Sequence, residues 1–425
     1  MSVGTKTISL EKCYRLPWNM ADNAITWLEP TTKCNIYCEG CYRANDPDGH
    51  KPLGDVISDL EHVKRMRRTG GISIAGGEPL IYPDIIPLVR YVKSQGWKPI
   101  IITNGTALTP ELIKELRKAG LVGFTVHVDS HQRRPGWIDK SEIELNELRL
   151  QYASMIHEAG KGKLHCAFNA TIYPDSVQHI SALTKWAQDH IDLVQTMVYI
   201  LFRCVTVDPR FDYMIGGRKL DESELDLLRY KTDHADDHTD VLAPEVTANI
   251  REACPAYEPC AFLNSNVDGG VPKWLLAMRV GRKDKILGYM DGKFMELTQS
   301  FHHLVFGTYL AYVRPWATKS LQGLFPLAPF NKSIRKLFKN WLLDFPGWFK
   351  SMYMQTILVL QPPDILADGK QAMCDGCPDA MYYKGKLLWK CRLDEVQKFG
   401  DFLQHVPKAQ PDVDAGEVEK LKAEV

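Results

Sequence analysis

Long apolar runs are missing from this chain. The best continuous stretch, Leu304 to Val313, has ten residues and includes Gly307 and Thr308. A helix that crosses a bilayer needs roughly 20 apolar residues, so no spanning segment is expected. The opening residues MSVGTKTISLEKCYR hold no continuous apolar core, so no secretory signal is expected and the cytoplasm is the default location. Charge of one sign is missing too: 52 Lys and Arg balance 52 Asp and Glu. Nothing global draws the chain to nucleic acid, although a local basic face is compatible with this balance. No internal repeat is present. Apolar residues make up 45% and charged residues 24%, which excludes wholesale disorder, collagen-like and coiled-coil chains. The length of 425 residues fits two or three domains, or one large barrel with an appendage.

What is abundant is cysteine. The chain has 11, and in a reducing compartment clustered cysteines mark metal or redox sites more often than disulfides. They do cluster. Cys34, Cys38 and Cys41 come early, then Cys254 and Cys260, then Cys374, Cys377 and Cys391. Cys13, Cys166 and Cys204 stand apart, and the last two read as small packed hydrophobes at strand positions.

From residue 24 to about 203 a strand–helix rhythm repeats. Strands are expected at 24–28, 72–75, 99–103, 121–128, 164–172 and 193–202, with helices at 55–68, 85–95, 110–119, 141–159 and 177–189 between them. Thr109-Pro110 is an N-cap followed by proline in the first helical position, and Gly120 is the matching stop. Such alternation implies a parallel sheet with right-handed crossovers, either an open doubly wound sheet or a partial barrel. Polar residues gather at or after the strand ends, at Thr103, Ser130, Asn169 and Arg203. The carboxyl edge of a parallel sheet is where ligands bind.

The cysteine triplet sits in Thr31-Thr-Lys-Cys-Asn-Ile-Tyr-Cys-Glu-Gly-Cys-Tyr-Arg43, after the first strand. Four-iron clusters are normally held by four cysteines, so three leave one iron open to substrate. A structural zinc would want a fourth Cys or His nearby, and none lies between Cys41 and His50. Gly76-Gly77-Glu78-Pro79 closes the second strand, and Thr103-Asn104-Gly105 closes the third. In order and spacing these three elements resemble the radical S-adenosylmethionine (SAM) superfamily, over about residues 24 to 205. The residue before the third cysteine is usually aromatic there. Here it is Gly40, a variant that resembles adenosylhopane synthase members.

The resemblance implies an α/β fold, a partial (β/α)6 barrel. It implies a 4Fe–4S cluster on Cys34, Cys38 and Cys41 whose open iron chelates SAM. It also implies release of a 5′-deoxyadenosyl radical and an electron donor such as flavodoxin or ferredoxin. Gly76 and Gly77 would let backbone approach the nucleotide, and Glu78 would accept from its ammonium. Gly40, Pro79, Thr103, Asn104, Ser130, Asn169 and Arg203 complete the expected SAM-binding set.

Beyond Arg203 the rhythm stops. The expected division is an N-terminal extension at 1–23, the barrel at 24–207, a polar linker at 208–253, a second region at 254–406 and a frayed tail at 407–425. The second region reads as a helix-rich, cysteine-containing extension. Its cysteines loosely resemble the auxiliary-cluster extensions called SPASM and twitch domains. That implies a second 4Fe–4S cluster on Cys260, Cys374, Cys377 and Cys391, with Cys254 as a weaker candidate. A zinc ribbon is the competing reading, since zinc also favours CxxC pairs.

Residues 319–350 carry six basic residues and one acid, Asp344. Ile334, Leu337, Phe338, Trp341, Leu342 and Phe345 recur at helical spacing opposite Lys332, Arg335, Lys336 and Lys339. That pattern fits either a helix docked on the barrel or an interfacial helix on anionic lipid. Together with the aromatic load nearby, it favours an apolar substrate, a lipid or isoprenoid, with radical C–H activation or C–C bond formation and peripheral membrane contact. The alternatives are modification of a peptide or small natural product by a SPASM-like enzyme, and a non-catalytic Fe–S or zinc protein. No general acid, base or nucleophile can be named from the sequence.

Overall fold

The computed structural model describes residues 9–39, 41, 43, 45–202, 210–225, 241–267, 272–319 and 321–408. Six parallel strands form its centre: β1 (Asp22–Thr31), β2 (Arg68–Gly76), β3 (Lys98–Thr103), β4 (Gly123–His127), β5 (His165–Ile172) and β6 (Thr196–Leu201). Between them run α1 (Leu53–Met66), α2 (Ile85–Ser94), α3 (Pro110–Ala119), α4 (Leu145–Gly160) and α5 (Ile180–Asp189). The local signals act as their chemistry dictates. The Thr109 hydroxyl accepts from Leu112 N at 3.2 Å, and Gly120 ends α3 at φ 106°. Gly160 is not the stop of α4. It remains helical, because Leu164 packs 3.0 Å from where its Cβ would be, and Lys161 takes the left-handed turn at φ 55°.

The sheet does not end with the sixth strand. β7 (Ala261–Asn264), β8 (Pro272–Gly281) and β9 (Tyr353–Leu360) continue it in the spatial order β6-β9-β8-β7, with Tyr14–Arg15 beyond β7. β9 lies parallel to β6, so a seventh parallel strand comes from the region expected to be a separate helix-rich extension. β8 and β7 are antiparallel additions. The expected boundaries at 208, 254 and 407 therefore move. Within 208–253, Phe211–Ile215 pairs with Gln404–Pro407, and α6 (Ala243–Ala253) buries Val246 and Ile250 in the main core. That core fills the layer between the sheet and α1–α6. Continuous burial along β1 from Asn23 to Thr31 reflects a strand covered on both faces.

Side chains from β1, β3, β5, β6, β8 and β9 all line one cavity of about 1600 Å³, so the sheet curls into an open barrel. Its two edges, β1 and Tyr14–Arg15, do not pair. The Cys374–Cys377 turn fills the gap. Asn23 Nδ2 donates to Gly376 O at 3.2 Å, and Cys374 bridges to Ser265 just past β7. Gly376 is required there, because a Cβ would lie 2.0 Å from Trp18 O.

At the amino ends of the strands the barrel is crossed by α7 (Gly292–Phe306) and the chain after it. His303 bonds Asp22 at 2.9 Å, Lys98 Nζ donates to Ala311 O at 3.0 Å, and His165 bonds Val313 O at 2.9 Å. The His302 ring bonds Thr308 O, so His302 and His303 both tie α7 to the chain around it. α8 (Lys332–Leu342) packs Ile334 and Leu337 against Val280, Leu287 and Met290, with Phe338 and Trp341 beside them. The apolar stripe noted in 334–341 is thus a core contact, and an interfacial role for that face is corrected.

Candidate active site

The cysteine loop leaves β1 at the carboxyl edge and is tied down at many points. Asn45 Oδ1 accepts from Cys34 N at 2.9 Å, and Asn45 Nδ2 donates back to Cys34 O at 3.2 Å. Tyr37–Cys38 pairs with Gln132–Arg133, and Tyr173 Oη donates to Glu39 O at 2.7 Å. Cys34, Cys38 and Cys41 all face the barrel cavity. Burial raises the Cys34 thiol. Burial raises Cys38 well above the ordinary thiol range, and the nearby charges of Asp129, Cys41 and Cys34 add to it. Burial of this kind disfavours free thiolates, and the positive charge of a bound metal centre would offset it. His50 is engaged by Thr31 Oγ1 at 2.8 Å and gives no fourth ligand. Three cysteines without a fourth suit a 4Fe–4S cluster with one open iron better than a tetrahedral structural zinc.

Gly76 and Gly77 line the cavity and also serve the chain's own packing: a Cβ on Gly76 would lie 2.2 Å from Thr31 O, and one on Gly77 2.1 Å from Lys33 O. Gly77 N and Glu78 N donate to those same two carbonyls, at 2.9 and 2.8 Å, so the glycines dock the cysteine loop onto β2. Glu78 is fully buried and does not line the cavity. Its carboxylate accepts from Leu80 N at 2.9 Å, Thr103 Oγ1 at 2.6 Å and Asn104 N at 2.7 Å. Glu78 is a clamp between two strand ends, and its Oε2 accepts only the Asn104 amide. Pro79 opens the short helix behind it.

Thr103, Asn104 and Asn169 do line the cavity, and Asn104 Nδ2 points to Cys34 Sγ at 3.7 Å. Ser130 does not line it, and its amide donates to Glu142 instead. Gly40 and Arg203 lie outside the described residues. Sequence reasoning missed His127 and Asp129. Both line the cavity, joined at 2.8 Å, with Thr171 3.1 Å from the same imidazole nitrogen. Burial alone would raise the Asp129 carboxyl, but the His127 bond and charge hold it low. Arg134 was missed as well. It is buried and ties Asn104 O to His127 O at 2.5 and 3.0 Å, fixing two strand-end turns. The position of His127 and Asp129 at the end of the fourth strand was the available signal.

The late cysteines divide. Cys374, Cys377 and Cys391 line the same cavity as the first triplet. A hydrogen bond from Cys374, then burial, raises the Cys377 thiol, and burial beside Cys374 pushes Cys391 up to about 12. Cys260 does not line the cavity; it is buried in a cluster against which Cys374 packs, with the Cys13 thiol nearby. Cys254 accepts from Arg279 Nη1 at 3.2 Å within the main core. Of the expected set, Cys374, Cys377 and Cys391 are the ones that line the chamber. Lys390 stands between the two triplets, 3.2 Å over the Trp27 ring. Burial pushes its ammonium down to about 7, against the pull of Glu29, Cys41 and Cys391. Asp379, in the same wall, is pushed up to about 7 by burial, with Arg67 opposing. Cys166 is a packed core residue, as its strand position indicated, and Cys204 lies outside the described residues.

Comparison with known proteins agrees with this geometry. Residues 28–187 match the family profile described as the Radical SAM superfamily. The AdoMet-dependent heme synthase of Methanosarcina barkeri is 34% identical over 113 residues, 26% of this chain and 32% of that protein. The S-adenosylmethionine-dependent nucleotide dehydratase of Lacinutrix mariniflava is 24% identical over 281 residues, 62% of this chain and 55% of that protein. The solved structure of Streptococcus suis SuiB bound to S-adenosylmethionine has a TM-score of 0.36 at 21% identity, covering 44% of this chain and 42% of its own. The chain spans about a third of the length of the first curated relatives it matches. The cysteine loop and the docked strand-end glycines both fall within residues 28–187, the segment that matches the radical SAM superfamily profile, a family that uses a 4Fe–4S cluster and S-adenosylmethionine.

Proposed function

We propose that this chain is a radical SAM enzyme that activates a C–H bond or alkene of an apolar substrate, with two iron–sulfur sites facing one reaction chamber. The carrying observation is that both cysteine triplets line the same cavity. Between them the wall is mostly apolar, with Trp27, Ile102, Val198, Ile200, Leu276 and Leu358 turned inward. Such a chamber suits a lipid or isoprenoid chain better than a peptide backbone, whose amides would need partners throughout.

Cys34, Cys38 and Cys41 would hold a 4Fe–4S cluster, which would supply the electron for reductive cleavage of S-adenosylmethionine into methionine and a 5′-deoxyadenosyl radical. The chain's own residues orient and shield. Gly76 and Gly77 hold the cysteine loop against β2. Glu78 fixes the Thr103–Asn104 turn beneath it. Asn104, Asn169, His127 and Asp129 offer polar contacts to the nucleotide, with Gly40 and Arg203 as further candidates on sequence grounds. Cys374, Cys377 and Cys391 would hold an auxiliary 4Fe–4S cluster facing the same chamber. Flavodoxin or ferredoxin is the proposed donor, in the cytoplasm.

Anaerobic reconstitution with reductant and S-adenosylmethionine, followed by quantitation of 5′-deoxyadenosine, tests the core of this reading. Cys34→Ala, Cys38→Ala and Cys41→Ala should each abolish the product. Persistent cleavage in the triple variant defeats the assignment. A lipid extract added to the wild type, followed by mass spectrometry, tests the substrate class.

A further inference from the structure

Most of the exposed large hydrophobic side chains among the described residues fall between 297 and 349. Ile334 and Leu337 of the α8 stripe are buried and not among them, whereas Leu342 and Phe345 at its end are exposed. On α7, Leu297, Phe301, Leu304 and Val305 share one face, and all are exposed, Leu304 by 84%. Phe345 and Phe349 stand out just beyond α8, Phe349 by 90%. A monomer that met only water would not gather so many on one stretch of chain. The opposite side of α7 supplies Met295, Thr298 and Gln299 to the cavity wall. One helix therefore separates the chamber from this apolar face, at the amino ends of the barrel strands.

The charge beside the face points to the occupant. α8 starts from the N-cap of α7, where Asn331 Nδ2 donates to Asp291 at 3.0 Å. Its Lys332, Arg335, Lys336 and Lys339 are exposed. The acid of this segment, Asp344, is already engaged by Arg282 and Lys285. Two copies meeting through this face would bring like charges together, whereas anionic headgroups would neutralise them. A convex helix with large aliphatic and aromatic side chains flanked by lysines is the pattern of an interfacial contact.

We propose that the outer face of α7, with the basic face of α8 and the aromatics at 345–349, seats the protein on an anionic lipid surface. The proposal deepens the apolar-substrate reading, because it places the chamber one helix away from acyl chains. Its measurement is independent of turnover. Co-sedimentation with vesicles of phosphatidylcholine and phosphatidylglycerol is compared with vesicles of phosphatidylcholine alone, at low and high salt. The wild type should bind the mixed vesicles, and salt should release it. Phe301→Ser with Leu304→Ser should weaken binding about tenfold or more, as should Lys332→Glu with Lys336→Glu and Lys339→Glu. Both variants alter exposed side chains, and unchanged iron content and 5′-deoxyadenosine formation in solution report that the barrel is intact. No wild-type binding at low salt overturns the proposal. Equal binding to neutral vesicles overturns its electrostatic half. A wild-type dimer in light scattering that the Phe301/Leu304 variant dissociates assigns the face to a second copy instead. Failure of nucleotide cleavage with vesicle binding intact would overturn the proposed chemistry and leave the docking surface standing.

Discussion

Glu78 shows how far a side chain's role depends on what surrounds it. As Glu78→Gln, one oxygen can still accept from Leu80 N and Thr103, but the new NH₂ faces the Asn104 amide, donor against donor. A loss of about 1–3 kcal/mol follows, visible as a lower urea midpoint. His165 carries a pH signature. It is buried at the start of β5, and burial pushes its imidazole down to about 4. The unfolded chain, near the ordinary value of about 6.5, then binds more protons than the folded one, so stability falls as pH drops through that window. From pH 7 to pH 5 this costs about 2 kcal/mol, and His165→Asn should flatten that part of the pH profile. Neither role was legible in the sequence. The motif marked Glu78 as functional, but a motif does not say whether a carboxylate faces a ligand or two backbone amides. His165 looked like any polar residue opening a strand.

Elements were easier to read than their partners. The helix caps and strand runs from 22 to 201 carry local chemistry, and local chemistry is what a sequence displays. The amphipathic period of α8 was equally plain, yet it does not say which surface the apolar face meets, because a core and a membrane reward the same spacing. The answer lies in Asp291, which accepts from Phe294 N at 2.9 Å, from Asn331 at 3.0 Å and from Ser333 N at 3.3 Å. One carboxylate thus starts α7 and anchors the start of α8. Asp291→Ala should cost about 2 kcal/mol, at the upper end for a cap, because Asn331 is stranded as well. Asp291→Asn should recover part of it, and urea denaturation of the pair checks both.

For the whole molecule, the first six strands were legible and the remaining sheet was not. β7 and β8 form a local hairpin, but β7 also pairs with Tyr14–Arg15, β8 with β9 and β9 with β6, all far away in sequence, and no periodicity in 254–360 distinguishes a sheet extension from an independent domain. The metal sites divide in the same way. The cysteines of the CxxC turn reach the chamber together, while Cys260 and Cys254, grouped with them on residue type alone, do not line it, although Cys260 lies in the cluster that Cys374 packs against. Iron analysis after reconstitution should reflect this. Replacing Cys374, Cys377 and Cys391 by Ala should remove about four irons, and replacing Cys34, Cys38 and Cys41 about four others. Cys260→Ala should remove none. Zinc in place of the second set of irons would turn the late cysteines into a structural site.

The seam between β1 and the Tyr14–Arg15 edge also sets an order of events during synthesis. Tyr14 must wait for Ala261 before it can pair, and β6 must wait for Thr356. The turn that seals the seam, with Cys374 and Cys377, leaves the ribosome only after every strand of the sheet. Until then the first triplet lies in a trough open along its side, accessible to whatever delivers iron and sulfide. Once Gly376 settles against Trp18, the seam along that side is covered.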